Sequence, residues 1–205
     1  MTKLQDTSQE ELNGHLLRAA RLGTDDMAVE FCRELVTDVG ADVNARDPQG
    51  HTALMWAAQN GHVNMISTLI TLGADINAQN NSGNTALMLA SATQGGLGVR
   101  ELLVAGADIN AQNKSGCTAL MYAVGSTRSE ALSVLLDHSP NLLLKSDKGV
   151  TAKDLLLSVD TPDSDAEKRL CDMTTEQEFR AAADKGTKKG RRIYRKIPGR
   201  GPTHG

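Results

Sequence analysis

The sequence predicts an all-α solenoid of about five helix–turn–helix repeats with loop or β-hairpin connections, and three observations carry that prediction. Four segments align without gaps at a period of 33 residues: Gly50-His-Thr-Ala-Leu-Met, Gly83-Asn-Thr-Ala-Leu-Met, Gly116-Cys-Thr-Ala-Leu-Met and Gly149-Val-Thr-Ala-Lys-Asp. A second landmark keeps the same phase, as Gly40-Ala-Asp-Val-Asn-Ala, Gly73-Ala-Asp-Ile-Asn-Ala and Gly106-Ala-Asp-Ile-Asn-Ala. The composition is 40% hydrophobic but 2% aromatic, with 19 Gly and 5 Pro. Leu, Ala, Val, Ile and Met must therefore fill the core, and glycine supplies many tight turns.

The first unit, residues 10–46, carries the helical run Leu16-Leu-Arg-Ala-Ala20, preceded by a capping-box pattern from Ser8 to Glu11. Gly23 and Gly40 stand 17 positions apart, against 12 between Gly61 and Gly73. This insertion predicts a longer second helix or a longer turn before it. In the second unit, 47–79, Thr52 is placed to cap Ala53–Ala58, and Asn60-Gly61 to end that helix. Met65, Ile66, Leu69, Ile70 and Leu72 then fall on one stripe of a second helix. Gly73-Ala-Asp75 stops it, and a loop rich in Asn and Gly follows.

Units 80–112 and 113–145 repeat the plan with Thr85 and Thr118 as caps. In the third unit Thr93-Gln94 replaces Asn-Gly, so Gly95-Gly96-Leu97-Gly98 reads as a loosened inter-helix turn. It lacks the following Lys-Ser/Thr and the preceding strand of a phosphate-binding loop. The last unit, 146–173, places Lys153 where the others have leucine, which predicts that no further repeat covers that face. Asp160 to Asp165 reads as a solvated loop, followed by a helix over about 164–173 and a separate short helix over 175–184. No unit can bury its own apolar stripe, so neighbours must stack.

These residues resemble the ankyrin family, whose repeat of about 33 residues carries a Thr-Pro-Leu-His signature. Here it reads Thr-Ala-Leu-Met at Thr52, Thr85 and Thr118. Met55, Met88 and Met121 stand where the family has a histidine that hydrogen-bonds between repeats. The resemblance covers residues 10–173, with 1–9 as a flexible N-terminus and 174–205 as a short helix and disordered basic tail. It implies non-catalytic protein binding through the concave face and loop tips. Carried onto this chain, the contact positions are Pro48, Gln49, His51, Gln59 and Asn60 in the second repeat. The third offers Asn81, Ser82, Asn84, Ala92 and Thr93, and the fourth Lys114, Ser115, Cys117, Gly125 and Ser126. The set is polar and almost uncharged. Asn44, Asn77 and Asn110 sit in Asp-Val/Ile-Asn-Ala, a context resembling ankyrin asparagines that can be hydroxylated. Side-chain hydrogen bonds that order the loop account for all three without modification.

No His pairs with Cys, Asp or Glu at metal-ligand spacing, so no metal site, cofactor or catalytic group is expected. His62 is expected to cap the second helix of its repeat. The column Met55, Met88 and Met121 has two readings, inter-repeat core or an adaptable strip for a partner, and core is favoured. Trp56, Leu89 and Tyr122, one residue later, are also expected in the core. Cys117 reads as a plain thiol near the surface.

Cys32, Cys117 and Cys171 are odd in number and far apart, which fits a reducing compartment. The polar N-terminus lacks the apolar stretch of a secretory signal, and no apolar run has the length of a membrane span. The expected place is cytoplasmic or nuclear, and the expected state monomeric. The net charge of −3 divides into −11 before Lys185 and +8 from there to the end. The tail, with Lys188, Lys189, Arg191, Arg192, Arg195 and Lys196, is expected to be disordered when free. Its roles stay open: nuclear import or nucleic-acid contact, an anionic membrane, the acidic ends of the chain itself, or solubility alone. A nucleic-acid-associated protein that binds through this tail is the alternative to a protein-binding scaffold.

Overall fold

A computed structural model of the chain describes residues 8–23, 25–93, 95–125, 130–158 and 165–184. These form α1 (Gln9–Leu22), α2 (Asp26–Thr37), α3 (Ala53–Asn60), α4 (Val63–Thr71) and α5 (Ala86–Ser91). They continue as α6 (Leu97–Val104), α7 (Ala119–Gly125), α8 (Glu130–Asp137), α9 (Ala152–Ser158) and α10 (Asp165–Asp184). The odd-numbered helices pack in one row, α1 on α3, α3 on α5, and so on to α9. The even-numbered helices form the second row, from α2 to α10. The expectations for residues 1–7, for Ser126, for the loop over 160–164 and for the tail from 185 onward lie outside the described residues.

Helix ends follow residue chemistry. The hydroxyls of Thr52, Thr85 and Thr118 accept from the amides of Met55, Met88 and Met121 at 3.3, 3.4 and 3.4 Å. Ser8 and Glu11 form the full capping box at the start of α1. Asp154 closes a similar pair with Thr151, whose backbone amide donates to its carboxylate at 2.9 Å and whose hydroxyl donates at 2.8 Å. That backbone donation, chiefly, holds the Asp154 carboxyl below its ordinary pKa. Gly61 ends α3 in the left-handed region at φ 72°. The insertion of the first repeat goes partly into its second helix, since α2 has 12 residues and α4 has 9.

The core between the rows is aliphatic. Met55, Met88 and Met121 are 0%, 0% and 4% exposed, which excludes the reading of an accessible methionine strip. Gly98 lies inside α6, where a Cβ would approach Ile66 Cδ1 to 3.0 Å, so the glycine lets α6 settle onto α4. His62 makes no side-chain cap to α4. Its Nδ1 instead lies 3.3 Å from the Ala20 carbonyl, so this ring ties the second repeat to the first.

Hydrogen-bond ladders join successive repeats. Asn44, Asn77 and Asn110 each accept, through Oδ1, the amide of a residue in the next repeat: Asp75 at 2.7 Å, Asp108 at 2.8 Å and Asn141 at 2.7 Å. Within the first repeat, Asn13 of α1 likewise accepts from the Asp42 amide at 2.9 Å. A parallel ladder runs from Arg46 to the Gln79 carbonyl, from Gln79 to the Gln112 carbonyl and from Gln112 to the Lys145 carbonyl.

The C-terminal end departs from the sequence expectation. Instead of a helix ending near Met173 and a second short one, α10 runs unbroken from Asp165 to Asp184 and packs on α8 and α9. Leu170 and Thr174 are buried, and Thr174 turns its hydroxyl onto the Leu170 carbonyl at 2.6 Å. Gln177 accepts from the Leu142 amide and donates to the Pro140 carbonyl, both at 3.0 Å. Lys153 is therefore covered. Its ammonium donates to Thr175 Oγ1 at 3.3 Å and lies 3.9 Å from Glu178. A lysine at that position meets polar side chains of a covering helix rather than open water.

Candidate functional site

The second, third and fourth repeats open on a tip built to one plan. In the second repeat the Asp47 carboxylate accepts the amides of Gln49 and His51 at 2.9 and 2.8 Å. The Asp47 amide donates to the His51 carbonyl, and Gly50, at φ 78°, donates back to the Asp47 carbonyl. Asn80 plays the same part in the third repeat, with the amides of Ser82 and Asn84 at 3.0 and 2.9 Å. Asn113 repeats it for Ser115 and Cys117, both at 2.9 Å. An Asp or Asn that bonds its own turn fixes the backbone without any strand. No strand occurs among the described residues, so the connections are tight turns and not β-hairpins with a ladder.

The tips are also bonded to one another. The Asn81 amide donates to the Gln49 carbonyl at 3.0 Å, Lys114 to Ser82 at 3.1 Å, and Asp147 to Ser115 at 3.0 Å. Close approach explains the glycines here. A Cβ on Gly83 would lie 2.7 Å from the Lys114 nitrogen.

The sequence-derived contact positions separate into three groups. Pro48, Gln49, Asn81, Ser82, Lys114 and Ser115 are exposed at the tips. Gln59, Asn60 and Gly125 are exposed at the C-terminal ends of α3 and α7, with Ala92 exposed and Thr93 half-buried just after α5. A helix of eight residues such as α3 is about 12 Å long, so these form a separate rim from the tips.

His51, Asn84 and Cys117 are half-buried, and polar contacts hold them. His51 Nε2 lies 3.0 Å from Asn80 Nδ2. Because the Asn80 oxygen is taken by two amides, its nitrogen must donate, and His51 Nε2 accepts. Asn84 Oδ1 accepts from Tyr122 Oη at 3.1 Å and Asn113 Nδ2 at 2.7 Å. The Cys117 amide is bonded to Asn113, and its Sγ lies 3.9 Å from the Ser115 carbonyl. These three residues brace the tips.

A feature that sequence reasoning missed is a groove of about 1320 Å³ between α1 and the loop leading into the second tip. Glu10, Gly14, Arg18 and Arg21 of α1 line it, and all four are exposed. Trp56 closes its far side. Contrary to the expectation of a core position, Trp56 is half-buried. Its indole N–H donates to Asp47 Oδ2 at 3.0 Å, His51 packs on its ring at 4.8 Å, and the Arg21 guanidinium lies over it at 4.6 Å. Tyr122 is likewise half-buried and held by its hydroxyl. The signal for the groove was the spacing of Glu10, Gly14, Arg18 and Arg21 along one helical face.

Among the described residues no three His, Cys, Asp or Glu side chains gather as a metal site, and no helix is long and apolar enough to cross a membrane. Burial pushes the Cys32 thiol up to about 11. That group lies in the core and away from the groove.

The comparisons agree with the architecture. A family model described as ankyrin repeats (3 copies) matches residues 16–113 and again 92–160. An ankyrin repeat protein of Rickettsia felis is 36% identical over 66 residues, which is 32% of this chain and 97% of that protein. Such repeats generally serve protein–protein interaction, and the family is typically non-catalytic. With two rows of short helices, recurrent tips between them and a family match across most of its length, the chain belongs to the ankyrin-repeat family.

Proposed function

We propose that this protein is a non-catalytic scaffold that binds a partner protein through its concave, loop-bearing face. The observation that carries the reading is the rigidity of the tips beneath their exposed side chains. Pro48, Gln49, Asn81, Ser82, Lys114 and Ser115 present open surface. The backbone under them is fixed by Asp47, Asn80 and Asn113 and tied to the next tip. A surface already ordered in the free protein loses little entropy on binding. The α1 groove extends the same face by one repeat.

The test is a pull-down from the native cell extract read by mass spectrometry. It compares the full chain, a Gln49→Ala/Ser82→Ala/Lys114→Ala variant and a 1–184 truncation. Partners retained by the truncation and lost by the tip variant support the scaffold. Partners that vanish with the tail, or that depend on nucleic acid, refute it and favour a tail-borne function.

A further inference from the structure

We infer that the α1 groove is a docking slot for an extended peptide segment of a partner protein, acidic at one end and basic at the other. This inference rests on the scaffold reading and names the chemistry of its partner. Arg18 and Arg21 are exposed in the groove, and among the described residues neither has a carboxylate within ion-pair distance. Arg21 is nevertheless held in place, because its guanidinium lies 4.6 Å over the Trp56 ring. A guanidinium over a ring face engages it through its positive charge and leaves its N–H donors available to a carboxylate.

The nearby carboxylate, Asp47, is anionic but forms no ion pair with Arg21. Both Asp47 oxygens are already engaged, one by the Gln49 and His51 amides and the other by the Trp56 indole. At the opposite end of the groove stand Glu10 and Asp42, both exposed. Gly14, between the two ends, carries no side chain, and a Cβ there would meet nothing within 4 Å. The helix backbone is open to an extended chain at that point.

The polarity sets the occupant. Glu10 and Arg18 to Arg21 are separated along α1 by roughly 12–16 Å, at 1.5 Å per residue. An extended peptide advances about 3.3 Å per residue, so its acidic and basic residues should be about four or five positions apart. A nucleic acid fits poorly, because its evenly spaced phosphates would run onto Glu10 and Asp42. A polypeptide can alternate charge to match.

Panning a phage-displayed random dodecapeptide library on the immobilised full chain tests this. The expected enrichment is for one or two acidic residues spaced four or five positions from a Lys or Arg. A synthetic peptide of that consensus should change the emission of Trp56, the single tryptophan of the chain. Its affinity should fall at least tenfold in Arg18→Ala/Arg21→Ala and less in Arg18→Lys/Arg21→Lys. The tail is the same in all three proteins, so nonspecific attraction to it does not enter the difference. Three results overturn the proposal: no enrichment, a consensus without acidic residues, or equal binding by the alanine variant. An oligonucleotide that perturbs Trp56 more strongly than the peptide, and loses this effect in the alanine variant, overturns it too. None of these touches the scaffold reading, which stands or falls with the tip variant in the pull-down.

Discussion

Replacing Gly83 by alanine measures how closely adjacent repeats approach, because two other glycines supply the control. Gly83, Gly149 and Gly61 all adopt left-handed backbone, at φ 79°, 75° and 72°. Alanine at any of them costs about 1–2 kcal/mol for that conformation alone. At Gly61 and Gly149 a Cβ meets nothing within 4 Å, so the conformational term is the whole cost. At Gly83 the Cβ would stand 2.7 Å from the Lys114 nitrogen and 3.1 Å from the Asn113 Cα.

Backbone atoms cannot rotate aside as a flexible side chain would. The fourth tip must shift, and the bond from the Lys114 amide to the Ser82 carbonyl, 3.1 Å long, goes with it. A buried or shared hydrogen bond contributes about 1 kcal/mol. The expected destabilisation is therefore about 1–2 kcal/mol for Gly61→Ala and Gly149→Ala and about 2–3 kcal/mol for Gly83→Ala. Urea unfolding followed by circular dichroism at 222 nm reads the difference, with Gly61 guarding against any special behaviour of the terminal repeat. Costs equal within about 0.5 kcal/mol across the three would show that the tips are not in contact, and the rigid-tip argument would fail.

The remaining expectations rest on separate parts of the molecule. Gly14→Ala should stabilise the chain by about 0.5–1 kcal/mol, since it sits within α1 with open space around its Cβ, and a rise in thermal midpoint is the readout. Cys32 is neutral in the fold, with its pKa raised to about 11 against about 8.5 in an unfolded chain. Its contribution is thus complete below about pH 8.5 and lost as pH rises toward 11, so stability of the wild type should fall more steeply across that window than that of Cys32→Ala. Truncation after Met173 should cost about 2 kcal/mol or more, because it strips Gln177 from the Leu142 amide and the Pro140 carbonyl. Ending the chain after Asp184 should leave the midpoint unchanged, and a 1–173 chain as stable as 1–184 would show that the second half of α10 is not part of the fold.

Much of the fold was legible because its determinants are local. A threonine that caps a helix, a glycine at positive φ and an asparagine that bonds its own turn are each specified by residue type within a few positions. The period then multiplied each signal. Determinants that join distant segments were less legible. The chemistry of Lys153 alone predicts an open face, whereas Thr175 and Glu178 of α10 cover it. Gln177 reaches the Leu142 amide across 35 positions, and nothing in either segment announces the pair. His51 had the look of an exposed contact at a polar tip, but its partner Asn80 lies 29 positions on.

Recurrence itself explains why the candidate site was harder to read than the fold. A residue that repeats at one position does a job every repeat must do, as Asn44, Asn77 and Asn110 do in bonding the next repeat. A surface that selects one partner has no reason to repeat, so its residues fall where the pattern breaks. The column Trp56, Leu89 and Tyr122 varies in this way. Its tryptophan faces the groove, while Leu89 at the equivalent place is buried. Arg18 and Arg21 belong to the first repeat, which lacks the Thr-Ala-Leu-Met motif and so has the fewest equivalents to compare. Only the packing of α1 against α3 brings Arg21 onto Trp56, and only then does a stripe of exposed side chains on a capping helix become one wall of a charged groove.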